Sequence, residues 1–230
     1  MYFQHAEAIW SEYPELVATA ITATGITPTA DVGGQVEQFL TTARSRLAGG
    51  TESDLPEIKA WRQTFSKMGL KPTQYRCASE ALLRRLRKEG DLPRIHPLID
   101  LCNAVSVAFA IPVGVFDLDE IAGGLQVRHA DGDEDYLTFA DSSENPEPRE
   151  VIFADEARRA HARRWSNRQS GRSAVRESTS RVLIVAEALH GSAAEDVPVL
   201  MKTLADAVTA TWQVSTRSAV LSAAARRFDV

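Results

Sequence analysis

Residues 97–117, PLIDLCNAVSVAFAIPVGVFD, combine two kinds of hydrophobic pattern. Apolar side chains recur at offsets of three, four, seven and eleven residues from Leu98, which predicts a helix with one buried face. After Pro112 the pattern changes from helical to that of a short β-rich run. The stretch therefore predicts a helix over 97–110 and a strand that begins at Val113.

Helical patterns dominate the chain before Pro112, and short strand patterns dominate it afterwards. Predicted helices cover residues 32–47, 54–69, 79–90, 97–110 and 195–214. Predicted strands cover residues 16–24, 113–116, 125–129, 136–139, 151–153, 182–186 and 219–222. Residues 157–170 are undecided, because their alanines and arginines favour a helix although the segment lies inside the strand series. This order predicts an α+β fold in which helices pack against a mainly antiparallel sheet drawn from residues 113–189.

The chain shows no internal boundary. It contains no repeat, no low-complexity tract and no long linker, so we expect a single domain over residues 1–230. Within it, residues 54–189 are expected to form the core. Residues 1–53 are expected to be an N-terminal elaboration, and residues 190–230 a C-terminal helix and strand.

The composition excludes several classes of protein. Hydrophobic residues make up 44% and charged residues 25% of the chain, as in ordinary globular proteins. Neither a long apolar run nor a leader-like start at Met1–Trp10 is present, so we expect a cytoplasmic protein without a membrane span. Cys77 and Cys102 lack metal-ligand spacing and are expected in the core. Because nucleotide, zinc-peptidase and α/β-hydrolase motifs are also absent, we expect no metal and no cofactor.

Charge is segregated along the chain, although the net charge is only −5. Seven arginines and no acidic residue lie between Ala157 and Arg176, whereas residues 131–156 hold ten acidic residues and a single arginine. Such segregation can place a phosphate-binding face on an acidic protein. The alternative is that both segments are solvated loops and faces.

Three polar side chains share one side of the predicted helix at 97–110. Asp100, Asn103 and Ser106 are spaced by three residues and lie beside the apolar stripe. A polar ridge next to a core face suits the wall of a pocket. Alternatively, these side chains are exposed or bond to neighbouring backbone groups.

Several segments, taken in order, resemble one known family. They are Ile-Asp-Leu-Cys-Asn at 99–103, Ile-Pro-Val-Gly-Val-Phe-Asp-Leu-Asp-Glu-Ile at 111–121, Val127-Arg128, Asp133-Glu134, Val-Ile-Phe-Ala-Asp at 151–155 and Arg-Glu-Ser-Thr at 176–179. This set is similar to the B3/B4 tRNA-binding and editing domain of the bacterial phenylalanyl-tRNA synthetase β subunit, over about residues 61–189. Two further segments, QYRCASEAL at 74–82 and RWSNRQ at 164–169, resemble the stand-alone proteins built on this domain.

The resemblance implies a module that handles aminoacyl-tRNA and, inside the synthetase, hydrolyses a wrongly attached amino acid. Two positions depart from the synthetase pattern. Gly114 stands where that pattern has histidine, and Ala174 falls near the place of an acidic side chain. Synthetase-type specificity is therefore not implied. A complete aminoacyl-tRNA synthetase is not expected either, because 230 residues leave no room for an aminoacylation core.

We therefore expect a stand-alone protein that hydrolyses the ester of a mischarged aminoacyl-tRNA. Its partner is expected to be the aminoacylated 3′ end of tRNA, with no DNA or membrane partner. The alternative is a non-catalytic module that binds tRNA, an amino acid or another small metabolite in the same pocket.

Both hypotheses place neutral hydrogen-bond donors and arginine forks in one pocket, where they bind an oxyanion, a phosphate or a carboxylate. The expected catalytic residues are Asn103, Ser106 and Asn167, and the expected substrate-binding residues are Arg76, Ser79, Gly114 and Arg168. The expected tRNA-binding residues are Arg158, Arg159, Arg163, Arg164 and Arg172.

Overall fold

The computed structural model describes all 230 residues and contains six α-helices. They are α1 (Glu7–Glu12), α2 (Gly33–Leu47), α3 (Pro56–Lys67), α4 (Ala78–Glu89), α5 (Pro97–Phe109) and α6 (Ala193–Trp212). The five predicted helices are confirmed as α2 to α6, with ends that differ from the prediction by at most two residues. The short helix α1 lies in a segment for which the sequence predicted no element.

Local sequence explains several helix ends. Pro56 and Pro97 occupy the first turns of α3 and α5, where a backbone N–H would have no helical partner. His96 Nδ1 accepts a hydrogen bond from Leu98 N at 3.2 Å and so satisfies one free N–H of α5. Gly90 ends α4 with a φ of +81°, a conformation that glycine adopts without strain.

Twelve strands form two larger sheets and one short hairpin. They are β1 (Tyr2–His5), β2 (Val17–Thr24), β3 (Val113–Asp117), β4 (Leu125–His129), β5 (Tyr136–Leu137), β6 (Ser143–Glu144), β7 (Val151–Asp155), β8 (Ala160–Arg163), β9 (Arg168–Gln169), β10 (Arg181–Ala188), β11 (Thr216–Leu221) and β12 (Arg227–Asp229). The six-stranded sheet has the order β12-β1-β4-β7-β8-β9, the four-stranded sheet has the order β11-β2-β10-β3, and β5 pairs with β6. Every strand pair is antiparallel except β1 with β4. The predicted α+β class with mainly antiparallel pairing is confirmed.

The prediction of one sheet drawn from residues 113–189 is wrong, because strands from both ends of the chain complete two sheets. In the four-stranded sheet, β2 lies between β10 and β11, with Ile21 opposite Ile184. In the six-stranded sheet, β1 lies between β12 and β4. Residues 1–53 and 190–230 thus contribute strands to both sheets. A strand pattern in the sequence shows which face is buried, but it does not identify the pairing partner.

One continuous hydrophobic core joins the sheets and the helices. Helix α6 packs on β2, β10 and β11, whereas α5 packs against α2, α4 and α6. Cys77 and Cys102 are buried free thiols in this core, as expected, and burial raises the pKa of Cys77 to about 12. None of the helices has both the length and the apolar character that crossing a membrane requires.

The undecided segment 157–170 contains the hairpin β8–β9. Ala162 of β8 is buried and pairs with Phe153 of β7, so the alanines that favoured a helix pack inside a sheet. Residues 164–167 form the turn between the two strands. This turn reaches across to the four-stranded sheet and forms one wall of the cavity described next.

Candidate functional site

A cavity lies between the two sheets, at the turn 164–167. On the four-stranded sheet, Gly114 pairs with Val185, and Glu187 lies two residues further along β10, so these residues share one face. Phe153 and Ala162 of the six-stranded sheet line the cavity with them. Its volume is about 80 Å³, enough for a few water molecules. The remaining lining residues are Ala78, Pro112, Val113, Phe116, Trp165, Ser166, Asn167, Arg168 and Gln169.

A buried carboxylate reaches this cavity from β10. Glu187 is 4% exposed, and its Oε1 accepts hydrogen bonds from His5 Nε2 at 2.5 Å and from Trp165 Nε1 at 3.0 Å. Its Oε2 makes no hydrogen bond within the protein. The two bonds to Oε1 fix the orientation of the carboxylate and leave Oε2 able to accept a proton. Glu187 is therefore the acid–base candidate of the cavity.

Two consecutive residues of the turn have an uncommon backbone conformation. Arg164 has a φ of +47° and Trp165 a φ of +57°, a region that residues other than glycine rarely adopt. Trp165 is fully buried, and its ring packs edge-on against the rings of Tyr13 and Trp61. Its backbone N–H donates to Val151 O at 2.7 Å. Such strain persists only where the surroundings over-determine the conformation, and it clusters at functional sites.

Ser166 and Asn167 present polar groups at the cavity. Ser166 O accepts a hydrogen bond from Ala78 N at 2.8 Å, which attaches the turn to the start of α4. Asn167 Nδ2 donates to Arg76 O at 2.8 Å, which leaves the second amide hydrogen free. Ser166 Oγ is buried without a hydrogen-bond partner, an uncommon state for a buried hydroxyl. Ser166 and Asn167 thus line the cavity together with Glu187, and each keeps a hydrogen-bonding group that the protein does not use.

Gly114, which stands where the synthetase pattern has histidine, lines the cavity. A Cβ at this position would lie 3.2 Å from the Phe116 ring, so a side chain here would press on another cavity residue. Ala174, which was expected near an acidic position, does not line the cavity. The cavity nevertheless has a carboxylate, which comes from Glu187.

The polar ridge on α5 does not reach this cavity, so Asn103 and Ser106, two of the residues expected to be catalytic, do not line it. Ser106 is buried, and its Oγ donates to Ile111 O at 2.6 Å. Asp100 Oδ1 accepts a hydrogen bond from Ile95 N at 2.8 Å. Asn103 is half-buried and does not line the cavity. Asp100 and Ser106 thus bond to backbone groups near the ends of their own helix, one of the alternatives that the sequence left open.

Two of the four expected substrate-binding residues also lie outside the cavity. Ser79 is buried, and its Oγ donates to Ala110 O at 3.1 Å, so this hydroxyl joins α4 to the loop after α5. The Arg76 guanidinium lies 3.5 Å from Glu80 Oε1, and only the Arg76 carbonyl contacts the turn, through Asn167. Both residues are therefore supports of the cavity wall and not part of its lining.

Arg168 lines the cavity, as does Gly114. Its Nη1 lies 3.2 Å from Glu144 Oε2, and its guanidinium lies 5.3 Å from the centre of the Tyr136 ring. Gly114, Asn167 and Arg168 are thus the three predicted site residues that the structure brings together.

The acidic segment 131–156 neutralises much of the arginine segment that follows it. Four arginines form ion pairs with it: Arg158 with Asp131 and Asp133, Arg163 with Glu144 and Glu150, Arg168 with Glu144, and Arg172 with Asp135. Only 4% of the Arg163 side chain is exposed. Burial alone would raise the pKa of Glu150, but the hydrogen bonds and charge of Arg163 outweigh it and hold that pKa below its ordinary value.

These ion pairs partly neutralise Arg158, Arg163 and Arg172, three of the five residues expected to bind tRNA, because opposite charges that are separate in sequence meet in space. Arg159 and Arg164 form no ion pair. Arg164 lies 4.8 Å from the centre of the Tyr75 ring and borders a second cavity of about 420 Å³. Of the five expected tRNA contacts, these two arginines keep an uncompensated charge.

Two clusters hold side chains of the types that bind metal ions, with their ligand atoms within 4.8 Å of one another. They are Glu57, His190 and Asp196, and Asp131, Asp133 and Glu134. In the first, Arg46 contacts Glu57 Oε1 at 2.7 Å, and His190 Nε2 lies 2.8 Å from Asp196 Oδ2. Neither cluster borders the cavity at the turn, so neither belongs to the candidate site.

Sequence reasoning missed Glu187, His5 and Ser166. Glu187 carried a usable signal, because a carboxylate inside the apolar run 182–189 is rarely buried without a role. His5 carried none, since only the placement of β1 in the sheet brings it to Glu187. Ser166 lies inside the RWSNRQ segment, but nothing in the sequence distinguishes its hydroxyl.

Known proteins match this chain in part. A profile of the B3/4 domain family matches residues 60–199. The phenylalanine–tRNA ligase β subunit of Shewanella oneidensis is 39% identical over 75 residues, which cover 32% of this chain and 9% of that protein. The same subunit of Corynebacterium jeikeium is 31% identical over 113 residues, which cover 47% of this chain and 13% of that protein. The chain thus matches about a tenth of the length of these relatives.

A solved structure has a similar fold. An N-terminal fragment of the phenylalanyl-tRNA synthetase β subunit from Pyrococcus horikoshii matches with a TM-score of 0.50 and 10% identity, covering 94% of this chain and 50% of that fragment. The segment matched by the family profile is more than half of the chain, and it contains every residue that lines the cavity. The chain therefore belongs to the B3/4 domain family.

Proposed function

We propose that this chain hydrolyses the ester bond of a mischarged aminoacyl-tRNA and that it does so as a stand-alone cytoplasmic protein. The observation that carries the proposal is the buried Glu187, whose Oε2 is free in a cavity that also contains the neutral donors Ser166 and Asn167. The names of the relatives, subunits of a phenylalanine–tRNA ligase, support tRNA as the substrate class.

The geometry supports a simple hydrolytic scheme. Glu187 Oε2 accepts a proton from a water molecule as its oxygen attacks the ester carbonyl. His5 and Trp165 hold Oε1, so the carboxylate does not reorient during the reaction. Ser166 Oγ and the free amide hydrogen of Asn167 donate to the carbonyl oxygen as negative charge develops on it. The ester C–O bond then breaks, and the proton passes to the ribose oxygen of the leaving tRNA.

Arg168 binds the end of the substrate at the rim of the cavity in this proposal. Its side chain is 40% exposed, and one guanidinium nitrogen, Nη1, contacts Glu144. A phosphate of the terminal nucleotides is the group such a fork recognises best. Gly114 lets the substrate approach the strand closely, because no side chain stands there.

A second candidate function is a non-catalytic module that binds an amino acid or another small metabolite in the same cavity. The ion pairs of Arg158, Arg163 and Arg172 favour it, because they leave less free positive charge for RNA than the sequence suggested. This candidate needs no proton acceptor in the cavity. The role of Glu187 therefore separates the two functions.

The test is hydrolysis of a panel of mischarged tRNAs by purified protein and by the variant Glu187→Gln. Glutamine keeps an oxygen acceptor for His5 and Trp165 but is not a base, so we expect a loss of about 10²- to 10⁴-fold in kcat/KM. The exposed Glu147→Gln variant is the control and should retain the wild-type rate. Wild-type rates in Glu187→Gln would remove the carboxylate from the mechanism. Tight binding of free amino acid without hydrolysis of any ester would establish the second candidate.

A further inference from the structure

One exposed aromatic ring stands beside the candidate site. Phe139 is 72% exposed, and none of the other exposed large hydrophobic residues, Met1, Ile95 and Val199, is aromatic. We propose that Phe139 and Arg168 form a stacking platform for a nucleobase of the single-stranded 3′ end of tRNA. This inference rests on the proposed function, because it assigns a binding surface to the RNA part of the proposed aminoacyl-tRNA substrate.

The platform is continuous with the cavity that contains Glu187. Phe139 lies in an open groove of about 410 Å³ together with Tyr136, Arg168 and Gln169. Arg168 and Gln169 also line the cavity at the turn. A substrate whose ester lies at Glu187 therefore leaves the cavity past Arg168 and meets Phe139 next.

The turn that carries Phe139 is held in place. Thr138 Oγ1 accepts hydrogen bonds from Ala140 N and Ser142 N, each at 3.2 Å. Gly171 lies so close behind the turn that a Cβ there would be 2.9 Å from Thr138 O. Phe139 thus lies on a hydrogen-bonded turn that exposes its apolar ring to solvent.

The chemistry of the groove fits a nucleobase better than an aliphatic partner. A base stacks on an aromatic ring, and stacking tolerates any sequence because every base has a π face. Arg168 adds a planar cation that already lies over the Tyr136 ring and can bind either a base face or a phosphate. Groups of this kind, an exposed ring beside a guanidinium, recur where proteins bind single-stranded nucleic acids.

The experiment compares binding of two RNAs, an intact uncharged tRNA and the same tRNA trimmed of its single-stranded 3′ nucleotides. We expect Phe139→Ala to lower the affinity for intact tRNA by about 5- to 150-fold and to leave the affinity for trimmed tRNA unchanged. Phe139→Trp should restore the affinity for intact tRNA. The matched control is Ile95→Ala, which removes an aliphatic side chain of similar exposure (67%) and should change neither affinity.

The outcomes separate this inference from the proposed function. The platform is overturned if Phe139→Ala lowers the affinity for both RNAs equally or for neither. It is also overturned if the wild-type protein does not bind intact tRNA. The platform would also be overturned if Phe139→Ala lowered the affinity for a protein partner and left the affinity for tRNA unchanged. If the 3′-end dependence holds while no mischarged tRNA is hydrolysed, the platform stands and the hydrolytic function fails.

Discussion

The turn of the β8–β9 hairpin and helix α5 use their polar side chains in opposite ways. On α5, Asp100 and Ser106 bond to backbone groups of Ile95 and Ile111. In the turn, other segments bind the backbone of Trp165 and Ser166, so the side chains of Ser166 and Asn167 keep free hydrogen-bonding groups. A polar side chain is available for chemistry only when the backbone around it is satisfied by something else.

The largest expected effect is on the free energy of unfolding. It tests whether Glu150, which lies outside the β8–β9 hairpin, anchors that hairpin. Glu150 binds the Arg163 guanidinium at 2.8 Å and accepts from Arg164 N at 2.9 Å, so it fixes both the end of β8 and the start of the turn. Arg163→Ala leaves a buried carboxylate with only part of its partners, and we expect it to lower the free energy of unfolding by about 3–5 kcal/mol. Urea denaturation measures this change.

The control for this prediction is Arg158→Ala, in the turn between β7 and β8. Arg158 also pairs with acidic side chains, but it is exposed, so its removal should leave the free energy of unfolding nearly unchanged. Equal effects of the two variants would mean that the buried pair does not anchor the turn.

The second effect is on activity and follows from the proposed function. Asn167→Ala removes a donor in the cavity, and we expect kcat/KM for ester hydrolysis to fall about a hundredfold. Asn103→Ala on α5 is the matched control and should keep the wild-type rate, because Asn103 does not line the cavity. A melting temperature checks that the lost bond to Arg76 O has not unfolded the first variant. A comparable loss of kcat/KM in Asn103→Ala would mean that the side chains of α5 contribute to activity as much as those of the turn.

The third effect separates two buried serines. Ser106→Ala leaves the Ile111 carbonyl without its donor, so we expect the free energy of unfolding to fall by about 1–3 kcal/mol while activity per folded molecule is unchanged. Ser166→Ala removes a hydroxyl that has no partner, and it should lower activity while leaving stability nearly intact. Thermal unfolding and initial rates on the same preparations measure both properties. If the two variants lose stability equally, Ser166 Oγ has a structural bond that the geometry does not show.

Sequence patterns predicted the helices well because a helix is a local structure with a clear period. The stripe from Leu98 to Phe109 and the stop at Gly90 needed no knowledge of the rest of the chain. The second sheet could not be predicted, since β1 and β2 pair with strands more than a hundred residues away. The resemblance located Gly114, Asn167 and Arg168, which line one cavity. Glu187 and His5 meet only through this long-range pairing, so the carboxylate was missed.

The same argument applies to charge. Counting residues between Ala157 and Arg176 suggested a basic face, because a count along the chain cannot include the partners of each arginine. Residues 131–156 supply those partners within the same region of the fold. Three arginines of this segment, Arg159, Arg164 and Arg176, bind no carboxylate, and Arg176 instead donates to Gly171 O.

The smallest expected effect sharpens this last distinction and concerns the salt dependence of tRNA binding. Each phosphate contact releases counterions, so the slope of log affinity against log salt falls by about one for each arginine contact that is lost. Replacing Arg159 and Arg164 by glutamine should therefore reduce the magnitude of the slope by up to about two. The pair Arg158 and Arg172 is the control, because both already bind carboxylates and are therefore not expected to neutralise phosphates. Binding curves at several salt concentrations give the slopes. A larger change for Arg158 and Arg172 would mean that their ion pairs open when RNA binds, and the acidic segment would then regulate access to the arginines.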